Sequence, residues 1–123
     1  MAGDRAAKPK RYEEMRRYPR VKSDLRVRVF VPPKNPTADS FGRGYDLSES
    51  GMAIYVPLEL AVGQQVLVVL EVPQYRVRLG LTATVRNADG YRYGVEFGAL
   101  SNTERKELKR ALESLAAITN PAA

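Results

Sequence analysis

Residues 77–98 read VRLGLTATVRNADGYRYGVEFG, two alternating runs on either side of an Asp-Gly pair. In the first run apolar side chains recur at every second position from Val77 to Val85, and in the second they recur from Tyr91 to Phe97. A period of two is typical of a strand with one buried face. Asp89-Gly90 is a strong signal for a tight β-hairpin. Gly80, inside the first run, suggests a β-bulge or a bend of a barrel.

Further strands are predicted upstream of this hairpin. The predicted segments are Leu25–Val31, a short strand at Arg43–Asp46, Met52–Val56, and Gln65–Val72, which has an apolar pattern that would allow burial on both faces. Prolines at positions 32, 33, 36, 57 and 73 separate these segments, and the first three open a loop that we expect to run to about Gly42. Five or six short strands in sequence favour a small closed barrel, because closure removes exposed sheet edges.

A helix is predicted after the last strand. Ser101-Asn102-Thr103-Glu104 matches a capping box, in which the Ser hydroxyl and the Glu carboxylate each accept from a free backbone amide. The helix is predicted over about 102–118, with one apolar face. That face consists of Leu108, Ala111, Leu112, Leu115 and Ile118. We therefore expect a mainly β fold, with strands over about 25–98 and an amphipathic helix covering the barrel.

The composition argues against most enzyme classes and metal sites. The chain has 123 residues without cysteine or histidine, so thiolate chemistry and the commonest general base and metal ligand are absent. We expect no catalytic activity, no cofactor and no metal. The apolar stretches are too short to span a bilayer, and the first residues lack a signal-peptide pattern. These observations predict a cytoplasmic protein with no membrane span.

The positive charge is concentrated at the N-terminus. Residues 1–22 carry eight basic and three acidic side chains, a net charge of +5 out of +6 for the whole chain. We predict a disordered basic tail at 1–10, one domain at 11–118 and a frayed tail at 119–123. A basic arm beside a nearly neutral body attracts phosphate groups, although it also serves simply as a solvated tail.

Two short motifs are candidates for a binding site. The first is Arg16-Arg17-Tyr18-Pro19-Arg20, and guanidinium groups bind phosphates and the O6/N7 edge of guanine in a bidentate manner. The second is the run Asp46-Leu47-Ser48-Glu49-Ser50-Gly51. A carboxylate accepts from guanine N–H groups, a hydroxyl donates, and Gly51 permits positive φ or a close backbone approach. Each motif alone is also explained by exposed arginines or by an ordinary turn.

Together the two motifs resemble the signature of the PilZ family, which is Arg-x-x-x-Arg followed by Asp or Asn-x-Ser-x-x-Gly. The matching positions are Arg16 and Arg20, and then Asp46, Ser48 and Gly51. Residues 93–97, Tyr-Gly-Val-Glu-Phe, resemble the late strand that precedes the terminal helix in that family. The resemblance covers roughly residues 11–118.

This resemblance implies a six-stranded barrel that binds the bacterial second messenger cyclic di-GMP on its outer surface. Arg16 and Arg20 would contact phosphates and guanine edges, while Asp46, Ser48 and the Gly51 backbone would hold the other guanine. Arg17, Met15 and Ser50 are additional candidates for ligand contact. The flexible basic arm would become ordered on binding, and the changed surface would be read by a protein partner that the sequence does not name. The chain would act as a stand-alone receptor, either a monomer or a homodimer.

The number of ligands and the type of function leave alternatives open. Met15 lacks the donors that an arginine there would offer to a second guanine, which favours one ligand, but Arg11 and Arg17 leave two possible. The first alternative function is a PilZ-like interaction module without nucleotide binding. The second is a small barrel that binds nucleic acid through its basic arm and its surface arginines. The nearly neutral body disfavours this second alternative.

Overall fold

A computed structural model describes residues 20–32, 38–72 and 77–119. These ranges contain six strands and one helix: β1 Leu25–Val31, β2 Ala38–Tyr45, β3 Gly51–Tyr55, β4 Gln65–Val72, β5 Val77–Asp89, β6 Arg92–Phe97 and α1 Asn102–Thr119. The predicted disordered tail, the first arginines of the basic arm and the last four residues lie outside the described ranges.

The six strands form a closed antiparallel barrel in the order β1-β2-β3-β6-β5-β4. Closure comes from the pairing of β1 with β4, in which Val27 lies opposite Leu70 and Val29 opposite Val68. The barrel thereby pairs both edges of what would otherwise be an open sheet. The predicted fold, a six-stranded barrel with a C-terminal helix, is confirmed.

The barrel interior is filled by the apolar faces of the alternating strands. Val27 and Val29 of β1, Val68 of β4 and Val85 of β5 are each fully buried. Burying a side chain of this size contributes roughly 1.5–3 kcal/mol relative to exposure. Because the interior is packed with side chains, the surface available for a polar ligand is the outer face.

Two strands differ from their predicted form. β2 begins at Ala38, not near Arg43, because it pairs with the whole of β1 and because Arg28 Nε forms a 2.8 Å ion pair with Asp39 Oδ2. β4 is not buried on both faces. Leu67 is 37% exposed because its side chain lies on the outer face of the barrel.

The irregularity in β5 also lies elsewhere than predicted. Gly80 pairs in register with Val69, so no bulge occurs there. The register shift falls between Val85 and Asn87, which leaves Arg86 as the extra residue opposite β6. The hairpin that follows is as predicted. Gly90 is the first of the two residues that connect β5 to β6, and its φ is 64°. A type II′ turn requires a positive φ at this position, which glycine adopts readily.

The helix begins at the predicted capping box. The Ser101 backbone N–H donates to Glu104 Oε1 at 2.8 Å, and the Glu104 N–H donates to Ser101 Oγ at 3.0 Å. Leu108, Ala111 and Leu115 are buried, and the two leucines belong to the same core as the barrel. Within the described ranges, no helix is long and apolar enough to cross a membrane.

Candidate functional site

The segment that leads into β1 is joined to the turn after β2 by a short backbone bridge. The Val21 N–H donates to the Leu47 carbonyl oxygen at 2.8 Å, and the Leu47 N–H donates to the Val21 carbonyl oxygen at 3.0 Å. Leu47 is fully buried, and Val21 packs against the same core. The bridge therefore holds Arg20, the residue before Val21, next to the turn that carries Asp46 and Ser48.

Asp46 begins this turn in a left-handed backbone conformation, with a φ of 49°. Most residues with a β-carbon avoid this region, whereas Asp and Asn tolerate it through local hydrogen bonding of a short polar side chain. The chain reverses direction here, so that Leu47 enters the core while Asp46 stays at the surface cavity. The aspartate therefore has a conformational role as well as a charge.

Ser48 stabilises the same turn from within. Its side chain is only 2% exposed, and its Oγ accepts from the N–H groups of Ser50 at 3.2 Å and of Gly51 at 3.3 Å. The Ser50 hydroxyl lies 3.1 Å from the Ser48 hydroxyl. The backbone N–H of Ser48 also donates to the Gly51 carbonyl at 2.9 Å. Ser48 thus fixes the shape of the turn, as in turns where a hydroxyl replaces a backbone acceptor.

Gly51 is required because of a close backbone approach. It pairs with Glu96 at the start of β3, and a β-carbon at this position would collide with the carbonyl oxygen of Val95. Its φ is not in the left-handed region. Of the two reasons for glycine suggested by the sequence, close approach is the one that applies.

These residues border a surface cavity of about 300 Å³ on the outer face of the barrel. Arg20, Asp46, Ser48 and Gly51 all line it. Four of the predicted site residues, from two motifs separated by the two complete strands β1 and β2, therefore lie around one cavity.

The floor and far wall of the cavity come from β3, β6 and β5. Ala53 pairs with Gly94, and Gly94 pairs with Asn87, so these three residues form one row across the strands. Because Ala53 has a small side chain and Gly94 has none, this part of the cavity floor is low, which suits a flat ring. Two residues further along the same strands, Arg92 and Asp89 lie directly opposite each other. All five residues line the cavity.

The Asn87 side chain lies flat over Gly94. The Gly94 N–H donates to Asn87 Oδ1 at 3.0 Å. A β-carbon on residue 94 would lie 2.6 Å from Asn87 Nδ2 and 2.7 Å from Oδ1. Only glycine at position 94 therefore leaves space for the amide in this position.

The charged groups of the cavity are balanced in sign. Arg20 and Arg92 supply two guanidinium groups, and Asp46 and Asp89 supply two carboxylates. The Arg92 guanidinium also lies 5.9 Å from the centroid of the Tyr45 ring, within cation–π range. Such a set can bind a molecule with both anionic groups and N–H donors, since guanidinium groups bind phosphates and carboxylates accept from N–H groups.

An ion pair outside the cavity holds the chain between Arg20 and β1. Asp24 Oδ1 accepts from Arg43 Nε at 2.8 Å, and Arg43 Nη2 donates to the Asp24 carbonyl at 3.1 Å. The hydrogen bond from Arg43, aided by its charge, lowers the pKa of Asp24 below its usual value. The pair connects the start of β1 to β2 on the exposed surface, where it is accessible to solvent screening.

The structure thus brings Arg20 of the first motif together with Asp46, Ser48 and Gly51 of the second. Arg16, Arg17 and Met15 lie outside the described residues. Ser50 contacts Ser48 and does not line the cavity. Asn87, Asp89 and Arg92 were not predicted from the sequence.

One signal in the sequence does point to Asn87. The alternation of apolar residues from Val77 to Val85 predicts an apolar residue at position 87, and a polar one stands there.

One family model matches most of the chain. The model of the PilZ domain matches residues 14–114. The chain belongs to the PilZ domain family. No curated protein matches it. The matched region of this PilZ domain extends from just before Arg16 into α1, so both motifs and the complete barrel lie inside it.

Solved PilZ structures share the fold at low sequence identity. The PilZ domain of CeSA from a cellulose-synthesizing bacterium is 19% identical, with a TM-score of 0.64, covering 78% of this chain and 96% of that one. The PilZ domain of YcgR from Escherichia coli, solved with c-di-GMP, is 21% identical with a TM-score of 0.69, covering 86% and 95%. Against the YcgR structure in complex with c-di-GMP, identity is 21% and the TM-score 0.71, covering 86% of this chain and 48% of that one.

Proposed function

We propose that this PilZ domain binds cyclic di-GMP in the outer cavity and acts as a receptor. The observation that carries the proposal is that Arg20 lines the same cavity as Asp46, Ser48 and Gly51. Further support comes from the family membership and from the two YcgR structures, which contain c-di-GMP. The cavity offers the two kinds of group that this ligand needs.

The chemistry of the ligand matches the charges of the cavity. Cyclic di-GMP has two phosphate groups and two guanines. Arg20, and in this proposal Arg16, bind phosphate oxygens and a guanine edge through bidentate, charge-assisted hydrogen bonds. The Asp46 carboxylate accepts from the N1–H and N2 amino groups of the other guanine. Ser48 acts by shaping the turn that presents Asp46 and the Gly51 backbone.

We propose that residues before Arg20 complete the site, and the small size of the cavity supports this. A volume of about 300 Å³ is at the lower limit of ordinary ligand pockets. We propose that Arg16 and Arg17 close over the ligand, and that the basic arm becomes ordered when it does so. Ordering the arm costs free energy, typically about 2–5 kcal/mol for a coupled transition. Micromolar affinity requires about 8 kcal/mol net, which charge-assisted hydrogen bonds and stacking can provide.

The proposed stoichiometry is one ligand per domain. Met15 stands beside the arginine motif and has no donor for a second guanine. The domain, working in the cytoplasm as a monomer or homodimer, would signal through a surface that the ordered arm changes and that a protein partner reads. It has no proposed catalytic role.

An NMR titration tests both the ligand and its place. Adding cyclic di-GMP to the 15N-labelled protein should shift the amide signals of Leu47, Gly51, Ala53 and Gly94, which lie in or beside the cavity. Amides of α1 on the exposed side, such as Arg105, serve as internal controls. Shifts confined to positions far from the cavity, or no shifts at all, would reject the proposal.

A second candidate function is an interaction module without nucleotide. It is favoured by a patch outside the cavity in which Phe41 is 47% exposed. The guanidinium groups of Arg26 and Arg28 lie 4.6 and 5.1 Å from the centroid of that ring. Aromatic and arginine side chains are enriched in protein interfaces. A domain that binds a protein partner through Phe41 but gives no response to cyclic di-GMP would favour this candidate. Steeply salt-dependent binding of DNA or RNA would instead favour a nucleic-acid-binding barrel.

A further inference from the structure

We infer that Asn87 is a guanine-reading residue, in which the side-chain Nδ2 amino group donates a hydrogen bond to O6 of a bound guanine. The inference rests on the proposed binding of cyclic di-GMP and adds a residue that belongs to neither motif. It follows from where the strand irregularity lies and from how the Asn87 amide is oriented.

The bulge at Arg86 gives Asn87 its place on the outer face. Leu79, Leu81, Ala83 and Val85 of β5 are buried inside the barrel, so regular alternation would direct residue 87 inward. The extra residue shifts the register, and Asn87 instead pairs with Gly94 in the row that forms the cavity floor. β-bulges commonly re-aim a side chain beside a functional site.

The orientation of the Asn87 amide follows from its hydrogen bond to Gly94. A backbone N–H can only donate, so the Asn87 atom at 3.0 Å from the Gly94 nitrogen must be the oxygen Oδ1. The other terminal atom of the side chain is therefore the amino group, which carries two N–H donors. Gly94 permits this arrangement because it has no β-carbon to displace the amide.

A donor fixed in this position distinguishes guanine from adenine. Guanine has the acceptor O6 where adenine has the donor N6 amino group. A freely rotating Asn binds adenine through both Oδ1 and Nδ2. Here the Gly94 N–H engages Oδ1, which disfavours that mode. Asp46, as an acceptor, complements the guanine N–H groups, so the two side chains present a donor and an acceptor in one cavity.

Three variants test this role by calorimetric titration with cyclic di-GMP. Asn87→Ala removes the donor and should weaken binding about 3- to 10-fold, the range of one hydrogen bond. Asn87→Asp retains an oxygen for the Gly94 N–H but replaces the donor by an acceptor, and it should weaken binding more than Asn87→Ala does. Ala88→Asp adds the same charge at the neighbouring exposed residue, which does not line the cavity, and should change affinity less than 3-fold.

A modified ligand tests the assignment to O6. In a cyclic dinucleotide of 6-thioguanosine, a weakly accepting sulfur replaces O6. The wild-type protein should bind it about 3- to 10-fold more weakly than cyclic di-GMP, whereas Asn87→Ala should bind the two ligands equally. An equal sulfur penalty in both proteins would overturn the assignment to O6.

The other outcomes are also decisive. Wild-type affinity in Asn87→Ala overturns the inference. If Asn87→Asp binds as well as or better than Asn87→Ala, the hydrogen bond to Gly94 has a structural role and the inference is overturned. If Ala88→Asp loses as much affinity as Asn87→Asp, the effect is one of general charge and the inference is likewise overturned. If the wild-type protein itself does not bind cyclic di-GMP, the proposed function fails. If the wild-type protein binds and Asn87→Ala binds equally, only this inference fails.

Discussion

Val21 and Leu47 exchange two backbone hydrogen bonds, at 2.8 and 3.0 Å, between the end of the basic arm and the turn after β2. The bridge lies outside the six strands, yet its Leu47 is among the most deeply buried side chains. Because Leu47 is anchored in the core and bonded to Val21, the residues next to both are held in place. Arg20 on one side and Asp46 on the other are therefore held near each other.

The left-handed conformation of Asp46 predicts that its two roles can be separated. Asp46→Ala should destabilise the fold by about 1–2 kcal/mol, because alanine is strained at a φ of 49°. Asp46→Asn should leave stability nearly unchanged, since asparagine tolerates this conformation, but should weaken cyclic di-GMP binding without abolishing it, because a neutral amide oxygen accepts more weakly than a carboxylate. Urea unfolding and calorimetry measure the two effects. Equal stability of the alanine and asparagine variants would contradict the conformational role.

The buried hydroxyl of Ser48 predicts a cost in stability. Ser48→Ala leaves the N–H groups of Ser50 and Gly51 without their acceptor, and we expect a loss of about 1–3 kcal/mol in the free energy of unfolding. Ser40→Ala is the matched control, because within the described residues the Ser40 hydroxyl donates to the neighbouring Phe41 carbonyl at 3.1 Å and accepts from no backbone N–H. That variant should stay within about 0.5 kcal/mol of wild type in urea unfolding. A Ser48→Ala protein as stable as the control would show that the hydroxyl does not support the turn.

Gly94 and Asn87 are predicted to be energetically coupled. Gly94→Ala places a methyl group less than 3 Å from the Asn87 amide and should cost about 1–3 kcal/mol. In the Asn87→Ala background the same substitution has space and should cost clearly less. A double-mutant cycle in urea unfolding gives the coupling free energy, expected at 0.5 kcal/mol or more. Additive effects would mean that the two side chains do not compete for the same space.

The Asp24–Arg43 pair predicts a specific pH dependence. The folded-state pKa of Asp24 is lowered by the hydrogen bond from Arg43, so the stabilisation is complete above the usual value of 3.8 and is lost as the pH falls through the lower, folded pKa. Urea unfolding of wild type and Asp24→Asn should show wild type more stable at pH 7, with a smaller difference at pH 3. A stability difference that does not change between these two pH values would rule out this contribution.

The fold could be predicted from the sequence because its determinants are local. The alternation in β5 and β6, the Asp-Gly hairpin and the capping box at Ser101 each depend on residues close together in the chain. The start of β2 could not be found in this way, because it depends on pairing with β1 and on the ion pair between Arg28 and Asp39. Interactions between distant segments are not visible in local periodicity.

The candidate site was predictable to a similar extent. The motif positions indicate Asp46, Ser48 and Gly51, but not that Ser48 faces inward to hold the turn. Asn87 enters the cavity only because of a bulge at Arg86, and the sequence suggested Gly80 for this irregularity. The position of a bulge depends on the pairing with the partner strand, which local sequence does not show. The one local sign of it was the polar Asn87, which interrupts the apolar alternation of β5.

The central claim is tested most directly by calorimetric titration with cyclic di-GMP. The proteins to compare are the wild type and the variants Arg16→Ala, Arg20→Ala and Arg78→Ala. We predict micromolar binding of one ligand to the wild type and to Arg78→Ala, whose arginine lies on the exposed face of β5 away from the cavity. We predict no detectable binding to Arg16→Ala or Arg20→Ala, each with an unchanged unfolding temperature. No heat from the wild type at high micromolar protein would contradict the proposed function, and normal binding by either site variant would contradict the proposed site.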